Sequence, residues 1–118
     1  MAGIERKNTG EPDAEVSYGT RGKAARITLG MTGFGLGSES TVWLSTLEPG
    51  WSWQGDIQPT VPFDNCPLHH REYVISGRIR YSLADGTVVE ATSGDHLLID
   101  PGHLAEVVGD ETCVLLDW

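Results

Sequence analysis

The side chains best suited to chemistry are concentrated in residues 63–80, which read FDNCPLHHREYVISGRIR. This stretch holds Cys66, the adjacent pair His69 and His70, and Glu72. Thiols, imidazoles and carboxylates bind transition metals and transfer protons. In an extended strand alternate side chains share a face, so His70 and Glu72 point the same way while His69 points the other way. Burying such groups costs free energy, so we expect a functional role rather than simple packing.

The strand that carries these residues is predicted to begin at about His69 and to run to Leu83. Its β-branched and aromatic residues favour extended backbone. After Gly77 the apolar residues Ile79 and Tyr81 fall on the parity opposite to Glu72. We therefore predict a bend or bulge at the glycine.

The rest of the chain predicts an all-β fold. Short apolar strands recur about every ten residues and are separated by turn signals such as Asp85-Gly86 and Pro101-Gly102, without a helix signal followed by a helical period. The 118 residues suffice for one domain. Residues 1–25 lack apolar periodicity, so we predict an N-terminal arm that is flexible or packed on a partner subunit, followed by a single barrel over residues 26–118.

Charge excludes several classes of partner. Residues 27–118 carry three arginines against thirteen acidic residues, which argues against nucleic acids and anionic membranes. A glycine-rich loop with Gly33, Gly35 and Gly37 lacks the lysine of a phosphate loop. The N-terminus lacks the apolar core of a signal peptide, so we expect a cytoplasmic protein in which Cys66 and Cys113 are free thiols.

Three segments, TLEPG, HHREYVISGRIRY and DGTVVEATSGDHLLIDPGH, together resemble the cupin family over residues 26–118. Gly77 matches the glycine that closes the family's first motif. Gly94, Pro101 and Gly102 match the frame of its second motif. The resemblance implies a cupin-type jelly-roll barrel, also called a double-stranded β-helix.

The sequence departs from the family's metal-binding motifs. His70 stands where the family has its metal-binding glutamate, and Asp64 and Cys66 lie near the positions of its two histidines. The histidine of the second motif is replaced by Ala105. His103 lies two residues earlier and shares the parity of Ala105, so it can face the barrel interior.

The resemblance implies one divalent transition metal, with zinc and iron(II) preferred and manganese and nickel as alternatives. His70, His103 and Glu72 would form a two-histidine, one-carboxylate site suited to iron(II). With Cys66 in place of Glu72 the site is softer and favours zinc. His69 is an alternative to His70, because a proline two residues earlier leaves the local register open.

The implied function is that of a metal-dependent cupin enzyme acting on a small organic molecule by Lewis-acid and acid-base chemistry. Isomerase, cyclase and non-heme oxygenase types all fit, with Glu72 or His70 moving the proton. We predict Trp51, Trp53 and Tyr73 as pocket residues for a small, aromatic or hydrophobic ligand.

Two other functions remain open. In a metal-free cupin that binds or senses a small ligand, Cys66, His70 and Glu72 would form a hydrogen-bonded network. In a purely structural dimer subunit, the arm would cover a sheet edge. A homodimer is expected under every one of these hypotheses.

Overall fold

The computed structural model describes residues 4–31 and 38–118, so the glycine-rich loop with Gly33, Gly35 and Gly37 lies outside the described residues. The described residues form nine strands. They are β1 (Ala14–Ser17), β2 (Gly22–Met31), β3 (Ser38–Leu47), β4 (His70–Ser76), β5 (Arg78–Leu83), β6 (Val88–Thr92), β7 (His96–Ile99), β8 (His103–Val107) and β9 (Cys113–Asp117).

The strands form two antiparallel sheets. A six-stranded sheet has the order β1-β2-β3-β9-β4-β7, and a three-stranded sheet has the order β6-β5-β8. Between them lies an apolar core that includes Leu47, Val74, Ile79 and Leu115. Two sheets packed through their apolar faces confirm the predicted all-β jelly roll.

The first strands differ from the predicted N-terminal arm. Residues 14–17 pair with residues 23–26 of β2, which in turn pairs with β3 along its whole length. Ahead of β1, the Lys7 ammonium donates to the Thr28 carbonyl and to the Asp13 carboxylate, each at 2.9 Å. Much of the stretch predicted as an arm is therefore an edge of the sheet of its own chain.

The predicted bend at Gly77 is present. Glu72 and Val74 of β4 are buried, whereas Ile79 and Tyr81 of β5 take over the buried positions after the glycine. The pairing of β4 with β9 shifts register just before Gly77. The chain passes there from the six-stranded to the three-stranded sheet, so both strands turn an inward face to the same core.

The segment between β3 and β4 packs across the core. It contains a π-helical turn at Trp53–Ile57 and a short helical turn at Gln58–Thr60, where the sequence predicted irregular structure. The Trp51 carbonyl accepts from the Val107 amide at 2.9 Å, which fastens the segment to β8. No helix in the described residues is long and apolar enough to span a membrane.

Candidate metal centre

A cavity of about 660 Å³ lies between the two sheets, and the segment between β3 and β4 contributes to its wall. This volume is in the range of small-molecule sites. Its polar groups include Cys66, His70, Glu72, Tyr81, His103 and Asp117. Apolar side chains form most of the remaining wall.

Cys66 and His103 are placed side by side by backbone pairing. The Cys66 amide donates to the His103 carbonyl at 2.9 Å, and the Gly102 amide donates to the Cys66 carbonyl at 2.7 Å. Residues paired directly across an antiparallel bridge have neighbouring side chains. The thiol and the imidazole are therefore set by main-chain geometry.

His70 enters the same space from β4. Its Nε2 atom is 3.6 Å from Cys66 Sγ, and its ring meets that of His103 edge to face with centroids 5.0 Å apart. One ligand atom from each of Cys66, His70 and His103 lies within 4.8 Å of the other two. These three donors come from both sides of the barrel.

Both imidazoles are held through their Nδ1 atoms. His70 Nδ1 lies 2.9 Å from Asp117 Oδ2, and His103 Nδ1 lies 2.8 Å from the Asp100 carbonyl oxygen. A carbonyl only accepts, so Nδ1 of His103 carries the proton. A proton on Nδ1 leaves Nε2 with a lone pair, which is the usual arrangement of a metal-binding histidine.

These residues fit a divalent transition metal. A thiolate and two imidazoles are three ligands that zinc accepts, and a fourth position would stay open as in catalytic zinc sites. The hydrogen bonds from Asp117 and from the Asp100 carbonyl correspond to the outer partners that orient metal-binding histidines. The donor chemistry thus supports a metal site and leaves the identity of the ion open.

The Cys66 thiol and the His70 imidazole shift each other's pKa. Burial raises the pKa of the Cys66 thiol, but hydrogen bonds with His103 and His70 outweigh it and lower this pKa to about 6. Burial likewise lowers the pKa of His70, but bonds to Asp117 and Cys66 raise it to about 10. The two groups therefore favour a thiolate paired with an imidazolium.

Glu72 lies beside this pair. It is 5% exposed, and the Tyr81 hydroxyl donates a hydrogen bond to its Oε1 atom. Burial raises the pKa of Glu72 to about 7, although the bond from Tyr81 and the charge of His70 oppose the rise. A carboxyl group with such a pKa can both give and take a proton near neutrality.

No protein-family model matches the chain, and no curated protein matches it in sequence. Among solved structures, the RmlC-like cupin from Shewanella frigidimarina is similar over 97% of this chain and 88% of its own, with a TM-score of 0.58 and 15% identity. A protein of unknown function from Acidithiobacillus ferrooxidans is similar over 89% and 86%, with a TM-score of 0.56 and 22% identity. The chain has the cupin fold.

Oxalate decarboxylase from Bacillus subtilis is also similar to this chain. The two share 25% identity over 91% of this chain, with a TM-score of 0.53. This chain spans only 26% of the length of that enzyme. The comparison therefore supports a cupin barrel without assigning the activity of the larger protein.

The cupin barrel brings together most of the predicted site residues. Cys66, His70, Glu72 and His103 all line the cavity. His69 does not belong to the site: its side chain is exposed and lies outside the converging donors. His69 is the residue just before β4, and the alternation of side chains along extended backbone turns it away from the side of His70.

Tyr73 requires a second correction. It was predicted as a pocket residue, but it lies on the outer face of β4 with 40% of its surface exposed. Trp51 and Trp53 are each 4% exposed and line the cavity. Their predicted place in the pocket is thus observed, whereas ligand binding by them stays a prediction.

The proposed combination of His70, Glu72 and His103 is not the one that converges most closely. Among the described residues, close groups of three donors are formed by Cys66 with both histidines, and by His70 with Glu72 and Asp117. Glu72 approaches the Nδ1 side of His70, at 3.9 Å, rather than the Nε2 side. The softer set that contains Cys66 therefore fits better.

Sequence reasoning missed Asp117, Tyr81 as a polar group, and Asp56. Asp117 shares the parity of Cys113 and Leu115, so an acidic residue on the inward face of a closing strand was a signal that could have been used. Tyr81 shared the inward parity of Ile79 in the same way.

Proposed function

We propose that this cupin binds one divalent transition metal through Cys66, His70 and His103 and acts on a small organic molecule in the adjoining cavity. The observation that carries the proposal is the orientation of both imidazoles. Their Nδ1 atoms are engaged at 2.9 and 2.8 Å, and Nε2 of His70 faces Cys66 Sγ at 3.6 Å, where an ion would replace the proton that these two groups share. The thiol makes zinc the preferred ion, with iron(II) as the alternative.

When bound, such an ion supplies Lewis-acid polarisation of a substrate oxygen. The residues of the chain supply the proton transfer. Glu72 lines the cavity and has a pKa raised to about 7 by burial, so it can take a proton from a substrate and return it to another atom. This chemistry serves an isomerase or a cyclase, and with iron an oxygenase. His70 would act as a ligand, which leaves Glu72 as the proton carrier.

A second function has its own support. Cys66 and His70 already form a hydrogen bond at 3.6 Å, and His70 is bonded to Asp117 at 2.9 Å. A cavity with these polar groups mutually satisfied could hold a small ligand without a metal and without catalysis. In that case the barrel would be a binding or sensor module.

Elemental analysis by inductively coupled plasma mass spectrometry separates the two functions. We expect about one zinc or iron per chain in the purified, untagged protein, and loss of that metal in His70→Ala, His103→Ala and Cys66→Ser. His69→Ala is the matched control, because this neighbouring histidine is exposed and outside the donor group. A folded wild-type protein that stays empty after incubation with zinc and with iron(II) would contradict the metal site and favour the binding module.

A further inference from the structure

The cavity has a second polar feature at Asp56, in the π-helical turn Trp53–Ile57. The Asp56 side chain is only 3% exposed and lines the same cavity as the metal ligands. Its Oδ2 atom accepts a hydrogen bond from the Ser52 amide at 3.0 Å, which closes the turn. That bond gives one of the two carboxylate oxygens a hydrogen-bond donor.

The other oxygen, Oδ1, has no comparable partner. The nearest cation is Arg21, whose Nη1 atom is 3.6 Å away, which is longer than a normal hydrogen bond. No hydrogen bond to Oδ1 is formed by the described residues. Since no hydrogen-bond donor of the described residues reaches Oδ1, this oxygen can accept a hydrogen bond from a group brought by a ligand.

The charges around the cavity limit what that ligand can be. The described residues that line it include the carboxyl groups of Asp56, Glu72 and Asp117 but neither lysine nor arginine. Away from His70 and from a metal held beside it, an anionic ligand would therefore meet negative charge. Arg21 lies outside the lining with its side chain 53% exposed, and it offsets the charge of Asp56 from the surface side. Because Arg21 already offsets this charge, the group of the bound molecule that donates a hydrogen bond to Asp56 does not need to be positively charged.

The remaining wall next to Asp56 is apolar. Trp51 precedes the turn and Trp53 is its first residue. The Trp51 indole N–H is already used in a bond of 2.8 Å to the Tyr18 carbonyl. Ile57 and Phe63 add apolar surface to the same wall. Such a surface suits a flat or bulky apolar body.

We infer that the cavity takes an uncharged apolar molecule that carries a hydroxyl or N–H group, and that Asp56 accepts the hydrogen bond from this donor. Asp56 would then be a specificity residue of the site. The inference deepens the proposed function. It rests on that function only in placing a metal at the polar end of the cavity.

Three ring compounds that share a methylated benzene ring test the preference. They are p-cresol, which has a donor; p-methylanisole, which has only an acceptor; and p-toluate, which is anionic. In NMR titrations of the full, metal-loaded chain we expect p-cresol to bind about tenfold or more tightly than p-methylanisole, as for a hydrogen bond to a charged group. In a parallel titration of the full chain without metal, where no ion can bind the carboxylate, we expect p-toluate to bind most weakly.

The variant Asp56→Asn makes the test specific. Its amide oxygen can keep the bond from the Ser52 amide, which would leave the amide N–H₂ as a donor where Oδ1 now lies. We therefore expect the advantage of p-cresol over p-methylanisole to shrink at least severalfold. Asp64→Asn is the control, because Asp64 is exposed and does not line the cavity.

Several results would overturn the inference. They are equal binding of p-cresol and p-methylanisole to the wild-type protein, no detectable p-cresol binding, tightest binding of p-toluate to the metal-free protein, or an unchanged preference in folded Asp56→Asn. The comparison on wild-type protein decides the matter if the variant does not fold. Metal content, measured in each sample and in His70→Ala, tests the proposed function separately. A preference for p-cresol in a protein that holds no metal would contradict the proposed metal site and leave the inference about Asp56 intact.

Discussion

Glu72 of β4 and Asp117 of β9 stand directly opposite each other in the six-stranded sheet, so two carboxyl groups enter the cavity side by side. Like charges at such positions repel. His70 relieves this repulsion unequally, since its Nδ1 atom lies 2.9 Å from Asp117 and 3.9 Å from Glu72. Asp117 is therefore the hydrogen-bond partner of the His70 ring. Glu72 keeps its raised pKa of about 7, for which burial is the main cause.

The first prediction concerns Asp117. Asp117→Asn keeps an acceptor for His70 Nδ1 but removes the charge that strengthens the imidazole as a ligand. We expect the affinity for zinc to fall by about tenfold or more, the lower end of the usual effect of such outer partners. Competition with a chromogenic chelator measures it. Asp110→Asn, at an exposed position before β9, should bind zinc like the wild type. Equal affinities of both variants would contradict the role of Asp117.

Part of this site could be read from the sequence, because strand parity is a local property. It correctly placed His70 with Glu72, and His103 with Ala105, on inward faces. It also indicated the change of face at Gly77. These inferences need only the alternation of side chains along one strand.

The parts that failed depend on contacts between distant segments. The partnership of Asp117 with His70 requires the register of β9 against β4. Asp56 points into the cavity only because a helical turn forms between β3 and β4. Tyr73 is an exception, because its own parity, opposite to that of Glu72, already indicates an outward side chain, and the structure places it on the outer face. The predicted cytoplasmic location and homodimer stay predictions.

The second prediction concerns Tyr81. Tyr81→Phe removes the hydroxyl that donates to Glu72, and this bond lowers the pKa of the carboxyl group. We expect the pKa of Glu72 to rise above its present value of about 7, and the free energy of unfolding to fall by about 1–3 kcal/mol, because a buried acceptor loses its donor. NMR titration of the glutamate carboxyl carbons and urea unfolding measure the two effects.

Tyr73→Phe is the matched control for this experiment. Tyr73 is 40% exposed on the outer face of β4, so both quantities should stay close to the wild-type values. A pKa of Glu72 that does not move in Tyr81→Phe would mean that the hydrogen bond has little effect on the carboxyl group.

The third prediction concerns the pH dependence of the metal-free protein. The pKa of Cys66 falls from 9.0 to about 6 in the fold, so its contribution to stability is fully present above pH 9 and is lost as the pH falls through about 6. The pKa of His70 rises from 6.5 to about 10, so its contribution is present below pH 6.5 and is lost as the pH rises through about 10.

Thiolate absorbance in the ultraviolet follows Cys66 directly. We expect a titration near pH 6 that is absent from Cys66→Ser, while Cys113, whose pKa burial raises to about 12, stays a thiol over this range. The stability difference between wild type and Cys66→Ser should shrink as the pH falls through about 6. A single thiol titration near pH 9 would show that the imidazoles do not stabilise the thiolate.

The fourth prediction concerns the crossing between the sheets. Gly77 has φ of 80°, and a Cβ atom there would lie 2.6 Å from the Cys113 Cα atom. Gly86 has φ of 93° with nothing within 4 Å of its Cβ position. Gly86→Ala should lose about 1–2 kcal/mol of unfolding free energy from backbone strain alone. Gly77→Ala should lose clearly more, because the backbone of β9 must move. Equal losses in urea unfolding would argue against the close contact.

The position of the three metal donors on different sheets has a mechanical consequence. His70 belongs to the six-stranded sheet, whereas His103 belongs to the three-stranded sheet and carries Cys66 beside it through the main chain. An ion held by all three would fasten one layer of the barrel to the other, as a covalent cross-link does. At a concentration a thousandfold above its Kd, it would add about 4 kcal/mol to the stability of the fold. Removing the ion with a chelator would then weaken the contact between the two sheets, while each sheet kept its own hydrogen bonds.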